Sequence, residues 1–340
     1  MSTIAYEQHT VSYGDDGKSI FYLAAGPRDG PLIIFVHGWP GIAKYWHPQL
    51  QAFAGLGFRV VAPDMPGYGR STARGVQTDY SQESVIQGVL AVLGDAGRGQ
   101  AIWIGHDWGS ATVWTLANTH PEACRAVASL AVAYGALERG MGAVLDAVDR
   151  HLYPSDEYPY GQFSYQAFYE QHFDRAVAQL NKDPHSVLRS IFRRPDRLPD
   201  DARSPKATVL RDLSWFGSSD SPPPASAVKD EELIIRLDVF QELVAAMEET
   251  GWGPAGSYYM NHEANREYNL LHSKHNGKLL MPVLFIQARW DDVADSARNA
   301  RANIITRRDC ARLTETIIET GHHVGPEKAE ATNAAIAKQG

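Results

Sequence analysis

Short apolar runs alternate along the first 132 residues with longer segments whose apolar positions recur at helical spacing. The runs at residues 19–23, 32–36, 58–62, 101–105 and 126–132 predict strands, and residues 81–93 and 110–120 predict helices. Strands that alternate with helices are typical of βαβ units. The pattern therefore predicts an α/β protein with a mainly parallel central sheet.

The pattern changes between residues 134 and 278, which are rich in aromatic residues, proline and charge and show only helical periodicity. Residues 218–225 contain three consecutive prolines and predict a loop, because proline can join neither a helix interior nor a sheet ladder. Strand patterns return at 283–287 and 313–318, and residues 327–338 predict a closing helix. We therefore expect an α/β core, residues 1–133 and 279–340, interrupted by a helical cap, residues 134–278.

Charge and composition exclude several function classes. The net charge is −8 and the pI about 5.9, so no basic field is available for nucleic acid. The two cysteines, Cys124 and Cys310, have no metal-ligand spacing, and no dinucleotide-binding fingerprint is present, so no metal and no cofactor are expected. No apolar run is long enough for membrane insertion and the first 16 residues are polar, which makes the cytoplasm the expected location.

Residues 105–109, Gly-His-Asp-Trp-Gly, lie between a predicted strand and a predicted helix, which is the setting of a nucleophile elbow. Such turns usually carry serine, but here the central residue is Asp107. An aspartate that attacks a saturated carbon forms an ester that water can hydrolyse, whereas serine would form an ether. The segment therefore predicts Asp107 as a covalent nucleophile, leaving a histidine free to activate water. The alternative, that Asp107 only caps the next helix, is weakened by the motifs around it.

Two further segments occur in the order that one family shares. Residues 37–40, His-Gly-Trp-Pro, follow the strand at 32–36, and residues 62–71, Ala-Pro-Asp-Met-Pro-Gly-Tyr-Gly-Arg-Ser, follow the strand at 58–62. With residues 105–109, they make the chain resemble the soluble epoxide hydrolases of the α/β-hydrolase fold along nearly its whole length. The resemblance implies that fold with an inserted helical cap, and an oxyanion hole made by the backbone N–H groups of Trp39 and Trp108. Losing one such donor costs roughly 3 kcal/mol.

The acid and the histidine are expected after the insertion, because this fold orders its catalytic residues as nucleophile, acid and histidine. Asp291 follows the strand at 283–287 and matches the acid of the family, although Asp292 and Asp295 lie close enough to replace it. His322 follows Gly321 beyond the last strand and matches the base. We expect the adjacent His323 to line the pocket or pack nearby.

Opening an epoxide also requires an acid, because the oxygen leaves as an alkoxide. The resemblance implies two cap tyrosines in this role. Tyr165, in residues 163–169, and Tyr259, in residues 251–261, match them. Tyr165 also belongs to an aromatic stripe at helical spacing, so simple packing is the alternative.

The predicted activity is hydrolysis of a small-molecule epoxide by water to a vicinal diol. The first alternative is a haloalkane dehalogenase, which also uses an aspartate followed by tryptophan but binds its halide with N–H donors rather than phenols. The second is a ligand-binding homologue without turnover. The sequence does not distinguish a monomer from a homodimer.

Overall fold

The computed structural model describes residues 4–197 and 199–338. Residues 1–3 of the polar N-terminal segment lie outside this part of the chain. Eight strands form one sheet: β1 Glu7–Tyr13, β2 Lys18–Ala25, β3 Leu32–Val36, β4 Arg59–Pro63, β5 Ala101–His106, β6 Cys124–Leu130, β7 Leu279–Ala288 and β8 Cys310–Ile318.

The strands lie in the order β1-β2-β4-β3-β5-β6-β7-β8. The pairs β1–β2 and β2–β4 are antiparallel, and every pair from β4 to β8 is parallel. Central strands such as β3 are buried along their whole length, as expected of parallel strands covered on both faces. The predicted α/β fold with a mainly parallel sheet is confirmed.

Thirteen α-helices are described, joined in several places by short 3₁₀ turns. Their bounds are α1 His47–Gly55, α2 Gln82–Asp95, α3 Trp108–Thr119, α4 Gly140–Asp146, α5 Ser164–Asn181, α6 Pro184–Ile191, α7 Val209–Asp212, α8 Leu237–Thr250, α9 Trp252–Ser257, α10 His262–His272, α11 Ile304–Asp309, α12 Val324–Glu327 and α13 Ala329–Ala337. Helices α4 to α10 lie between β6 and β7, where the described residues add no strand to the sheet. They form the helical insertion.

Two elements differ from the sequence prediction. β1 was not predicted because its residues alternate between partly buried and exposed and only Tyr13 is buried, a polar pattern that an edge strand tolerates. The helix predicted at residues 327–338 is interrupted at Lys328, whose backbone (φ −128°, ψ 54°) is not helical. The interruption separates α12 from α13, and the Glu327 carboxylate at the end of α12 accepts a hydrogen bond from Gly321 N.

The parallel strands bring distant parts of the sequence to one edge of the sheet. β3, β5, β7 and β8 run in the same direction, so the loops that follow them meet at their carboxyl ends. These loops contain Trp39, Asp107, Asp291 and His322. In the two described ranges, no helix combines the length and the apolar character needed to cross a membrane.

Candidate active site

Asp107 occupies the sharp turn between β5 and α3. Its backbone has φ 53° and ψ −122°, a conformation that costs a non-glycine residue about 1–3 kcal/mol. The turn is tight because a Cβ on Gly105 would lie 2.3 Å from Gly109 O, and one on Gly109 would lie 2.1 Å from Val36 O. Close packing of α3 against the ends of β3 and β5 therefore holds the strained turn in place.

The Asp107 carboxylate contacts one backbone donor and one imidazole. Trp39 N donates a 2.6 Å hydrogen bond to Asp107 Oδ1, and Asp107 Oδ2 lies 3.5 Å from His322 Nε2. Trp108 N makes no hydrogen bond to this carboxylate in the described structure. Of the two predicted oxyanion donors, the Trp39 amide is thus already at the carboxylate oxygen, and the Trp108 amide adjoins it along the chain.

His322 lies between two carboxylates. Its Nδ1 is 3.1 Å from both oxygens of Asp291, which is fully buried. Burial alone would lower the pKa of His322, but Asp291 and Asp107 outweigh it and raise that pKa to about 10. Burial likewise opposes ionisation of the two carboxyls, yet the imidazole holds the pKa of each below its usual value. These interactions favour the charged forms of both carboxyls and of the imidazole.

The neighbouring acids have other partners. Asp292 forms an ion pair with Lys206 at 2.5 Å, and Asp295 forms one with Arg298 at 2.7 Å. Of the three acids that the sequence left open, Asp291 is the one in contact with His322. The ring of His323 packs 4.6 Å from that of Phe192.

Tyr165 and Tyr259 come together from separate helical segments of the insertion. Their rings are 5.7 Å apart in an edge-to-face arrangement, and both side chains line a cavity of about 780 Å³ that also contains Asp107 and His322. Tyr169 stacks on Tyr259 at 4.7 Å, whereas the hydroxyl of Tyr258 donates to Pro66 O. Packing within the insertion thus places two phenols in the same cavity as the carboxylate.

A second cavity, of about 190 Å³, reaches the same carboxylate. It shares Asp107 and Tyr165 with the larger cavity and is otherwise mostly apolar, with Leu137, Val144 and Ile305 in its wall. A dry cavity of about 150 Å³ can hold benzene. The Asp107 carboxylate is therefore accessible from a large cavity and a small one.

Three polar contacts around the site were not predicted from the sequence. His106 Nε2 donates to the backbone carbonyl of His322 at 2.9 Å, and Glu327 accepts from Gly321 N at 3.0 Å. Gln166 Nε2 donates to the hydroxyl of Tyr165 at 3.1 Å. His106 and Gln166 adjoin predicted site residues and Glu327 lies five positions after His322, which was the available signal. Among the described residues, no group of three or more His, Cys, Asp or Glu side chains is arranged to hold a metal ion.

Comparison with known proteins identifies the fold family and several relatives of the chain. A family model described as alpha/beta hydrolase fold matches residues 31–329. Epoxide hydrolase B and Epoxide hydrolase A of Mycobacterium tuberculosis are each 27% identical to this chain, and each alignment covers 94% of both proteins. The crystal structure of Epoxide Hydrolase A from Mycobacterium thermoresistibile superimposes with a TM-score of 0.76 at 25% identity, covering 98% of each chain.

Proposed function

Because this chain belongs to the alpha/beta hydrolase fold family and is related to epoxide hydrolases, we propose that it converts epoxides into vicinal diols through an ester on Asp107. The observation that carries the proposal is that a carboxylate at the nucleophile turn shares one cavity with an imidazole and two phenols. A carboxylate can form a hydrolysable alkyl ester, and phenols can protonate the oxygen that leaves.

In the first step, a carboxylate oxygen of Asp107 attacks one carbon of the epoxide. The carbon–oxygen bond of the ring breaks, and its electron pair moves to the oxygen, which takes a proton from Tyr165 or Tyr259. The products are a hydroxyalkyl ester of Asp107 and a phenolate. Asp107 needs no base for this step, because its lowered pKa keeps it ionised.

The second step requires a neutral His322. Esterification removes the charge of Asp107, which is one of the two anions that raise the pKa of His322. The imidazolium can then donate its proton to the phenolate, which restores the phenol and leaves His322 neutral and able to act as a base. It next takes a proton from water as the water oxygen attacks the ester carbonyl, and it returns that proton to the departing diol oxygen. The acid proton left on Asp107 finally passes back to His322.

Two contacts support the hydrolytic step. Trp39 N already binds Asp107 Oδ1, so the same donor can stabilise the oxyanion that develops on this atom. Asp291 contacts Nδ1 of His322, which leaves Nε2 directed toward Asp107. Asp291 therefore orients the imidazole and stabilises its charged form.

In this proposal, the core and the cap contribute different catalytic groups. The core, residues 1–133 and 279–340, supplies Asp107, Asp291 and His322, and the cap, residues 134–278, supplies both phenols. The reactants are a small-molecule epoxide and water, and none of these steps calls for a cofactor.

Incubation of the purified protein with styrene oxide and, separately, with a bromoalkane tests the proposal. We expect diol from the first and no bromide from the second, with Asp107→Ala yielding neither. Bromide without diol would favour the dehalogenase alternative, because a halide leaves without a proton. Neither product, with substrate binding retained, would favour a ligand-binding homologue.

A further inference from the structure

The amide of Gln166 and the hydroxyl of Tyr165 form a hydrogen bond inside the helical insertion. The two residues are adjacent in the first turn of α5, and Gln166 is 1% and Tyr165 6% exposed. Gln166 Nε2 donates to Tyr165 Oη at 3.1 Å, while Gln166 Oε1 has no hydrogen-bond partner within residues 4–197 and 199–338. Gln166 lines the smaller cavity and Tyr165 lines both. The side-chain NH₂ group of Gln166 is thus directed to the hydroxyl of Tyr165.

The direction of this hydrogen bond determines where the phenolic proton can go. A phenol has one proton to donate and an oxygen that can also accept. Because Gln166 supplies an N–H, the proton of Tyr165 is not used in their contact and stays available to an epoxide oxygen. A donor at this position also stabilises the negative charge that develops on the phenol as the ring opens.

The surrounding charges make such a donor important. Burial and the carboxylates of Asp107, Asp291 and Asp292 all raise the pKa of Tyr165, whereas the hydrogen bond from Gln166 lowers it. Besides these three carboxylates, the titratable and charged side chains that line the cavities next to the pair include Asp146, Tyr259, Arg301, His322 and the Lys206 that pairs with Asp292. Loss of the amide donor would therefore leave the phenol a weaker acid.

We propose that Gln166 is a positioning residue for ring opening, whose side-chain N–H directs the Tyr165 proton toward the substrate oxygen and stabilises the phenolate. The inference rests on the proposed function. Gln166 itself transfers no proton and forms no bond to the substrate.

Gln166→Glu and Gln166→Met test the inference. An ionised glutamate can only accept hydrogen bonds, so it would accept one from the Tyr165 hydroxyl. A protonated glutamate can still donate a hydrogen bond to that hydroxyl. Burial raises the pKa of the new carboxyl, so it should titrate above the ordinary value of about 4.3. Methionine keeps the volume but supplies no N–H donor at any pH. The matched control is Gln171→Glu, because Gln171 Nε2 donates in the same way to the hydroxyl of Tyr160 on the exposed surface at 3.0 Å.

The measurement is the single-turnover rate of Asp107 alkylation by styrene oxide, followed by mass spectrometry from about pH 5 to about pH 9. We expect Gln166→Glu to lose about 10- to 100-fold in rate as pH rises, relative to the native protein at the same pH. Gln166→Met should show a similar loss with no new pH dependence, and Gln171→Glu should follow the native profile.

A purely structural role for Gln166 would give two variants slowed equally at every pH, which would overturn the inference. A Gln166→Glu protein as fast as the native one would overturn it too, because the glutamine carbonyl would then be the group that faces the phenol. Both results leave the epoxide hydrolase proposal standing if the native protein makes diol. No diol from the native protein would instead reject the proposed function, and the inference with it.

Discussion

Asp291→Asn removes the charge beside His322 while keeping the shape of the side chain. Asp291 Oδ1 accepts hydrogen bonds from Val293 N at 2.8 Å and Ala294 N at 3.1 Å. An asparagine must place its carbonyl oxygen there to keep both bonds, so its NH₂ group takes the position of Oδ2, 3.1 Å from His322 Nδ1. When that NH₂ donates to Nδ1, the imidazole proton moves to Nε2, where it blocks the base. The carbonyl oxygen at the Oδ1 position is also 3.1 Å from Nδ1, but it carries no full negative charge to stabilise the imidazolium.

The size of the effect follows from the same distance. Two unit charges 3.1 Å apart attract by about 5 kcal/mol at an effective dielectric constant of about 20. A hydrogen bond to a charged group contributes about 1.5–3 kcal/mol net, which gives the lower limit. We therefore expect ester hydrolysis to slow by roughly 10- to 5,000-fold, since each 1.36 kcal/mol is about a tenfold change in rate. Alkylation should slow much less, because it does not require a neutral histidine.

Rapid mixing with styrene oxide, acid quenching and mass spectrometry of the peptide containing Asp107 would separate the two rates. At steady state, the esterified fraction of the protein should be higher in Asp291→Asn than in the native protein. The matched control is Asp292→Asn, one residue further on, because Asp292 pairs with Lys206 and is not in contact with His322. If Asp291→Asn hydrolysed its ester at the native rate, or if Asp292→Asn were the slower variant, the assignment of the acid would be wrong.

Three more predictions follow from the site. His322→Gln should form the Asp107 ester but fail to hydrolyse it, so mass spectrometry should find a modified peptide; an unmodified one under conditions of substrate binding would contradict the base assignment. Tyr165→Phe and Tyr259→Phe should each slow alkylation by about 10- to 100-fold and together nearly stop it, and native rates in the double variant would remove the phenols from the mechanism. The pKa of His322 is raised from 6.5 to about 10 on folding, so its stabilising contribution is complete below pH 6.5 and is lost as pH rises toward 10. Thermal unfolding should therefore show a larger loss of stability between these pH values in the native protein than in His322→Gln, and equal losses would count against the raised pKa.

The fold class could be predicted because strands of the sheet that are buried on both faces consist of continuous apolar residues. β3 and β5 are continuous apolar runs, and such runs alternate with amphipathic segments. β1 could not be predicted in this way, because a strand at the sheet edge needs few apolar residues. The interruption at Lys328 leaves no mark in the periodicity of residues 327–338. It lies directly after Glu327, whose carboxylate contacts the loop before His322.

The candidate site could be predicted where a motif marks the end of a strand. Asp107 and His322 follow β5 and β8, and parallel strands bring their carboxyl ends together. Strand position alone does not decide between Asp291 and Asp292. Both residues lie in the loop after β7, and only the direction of each side chain determines which one meets His322. The contact between Gln166 and Tyr165 is similar, since adjacency gives no indication of which amide atom meets the phenol. The catalytic roles of these residues remain predictions until the variants are measured.

The packing around the turn at Asp107 determines the position of residue 107 but not the chemical identity of its side chain. The close backbone contacts of Gly105 and Gly109 hold the turn at residue 107, and these contacts do not involve its carboxylate. A hydroxyl or a thiol attached to the same Cβ would face the same cavity. A substitution at residue 107 therefore changes the chemical group without moving the turn, whereas moving the group would require rebuilding the junction of β3, β5 and α3.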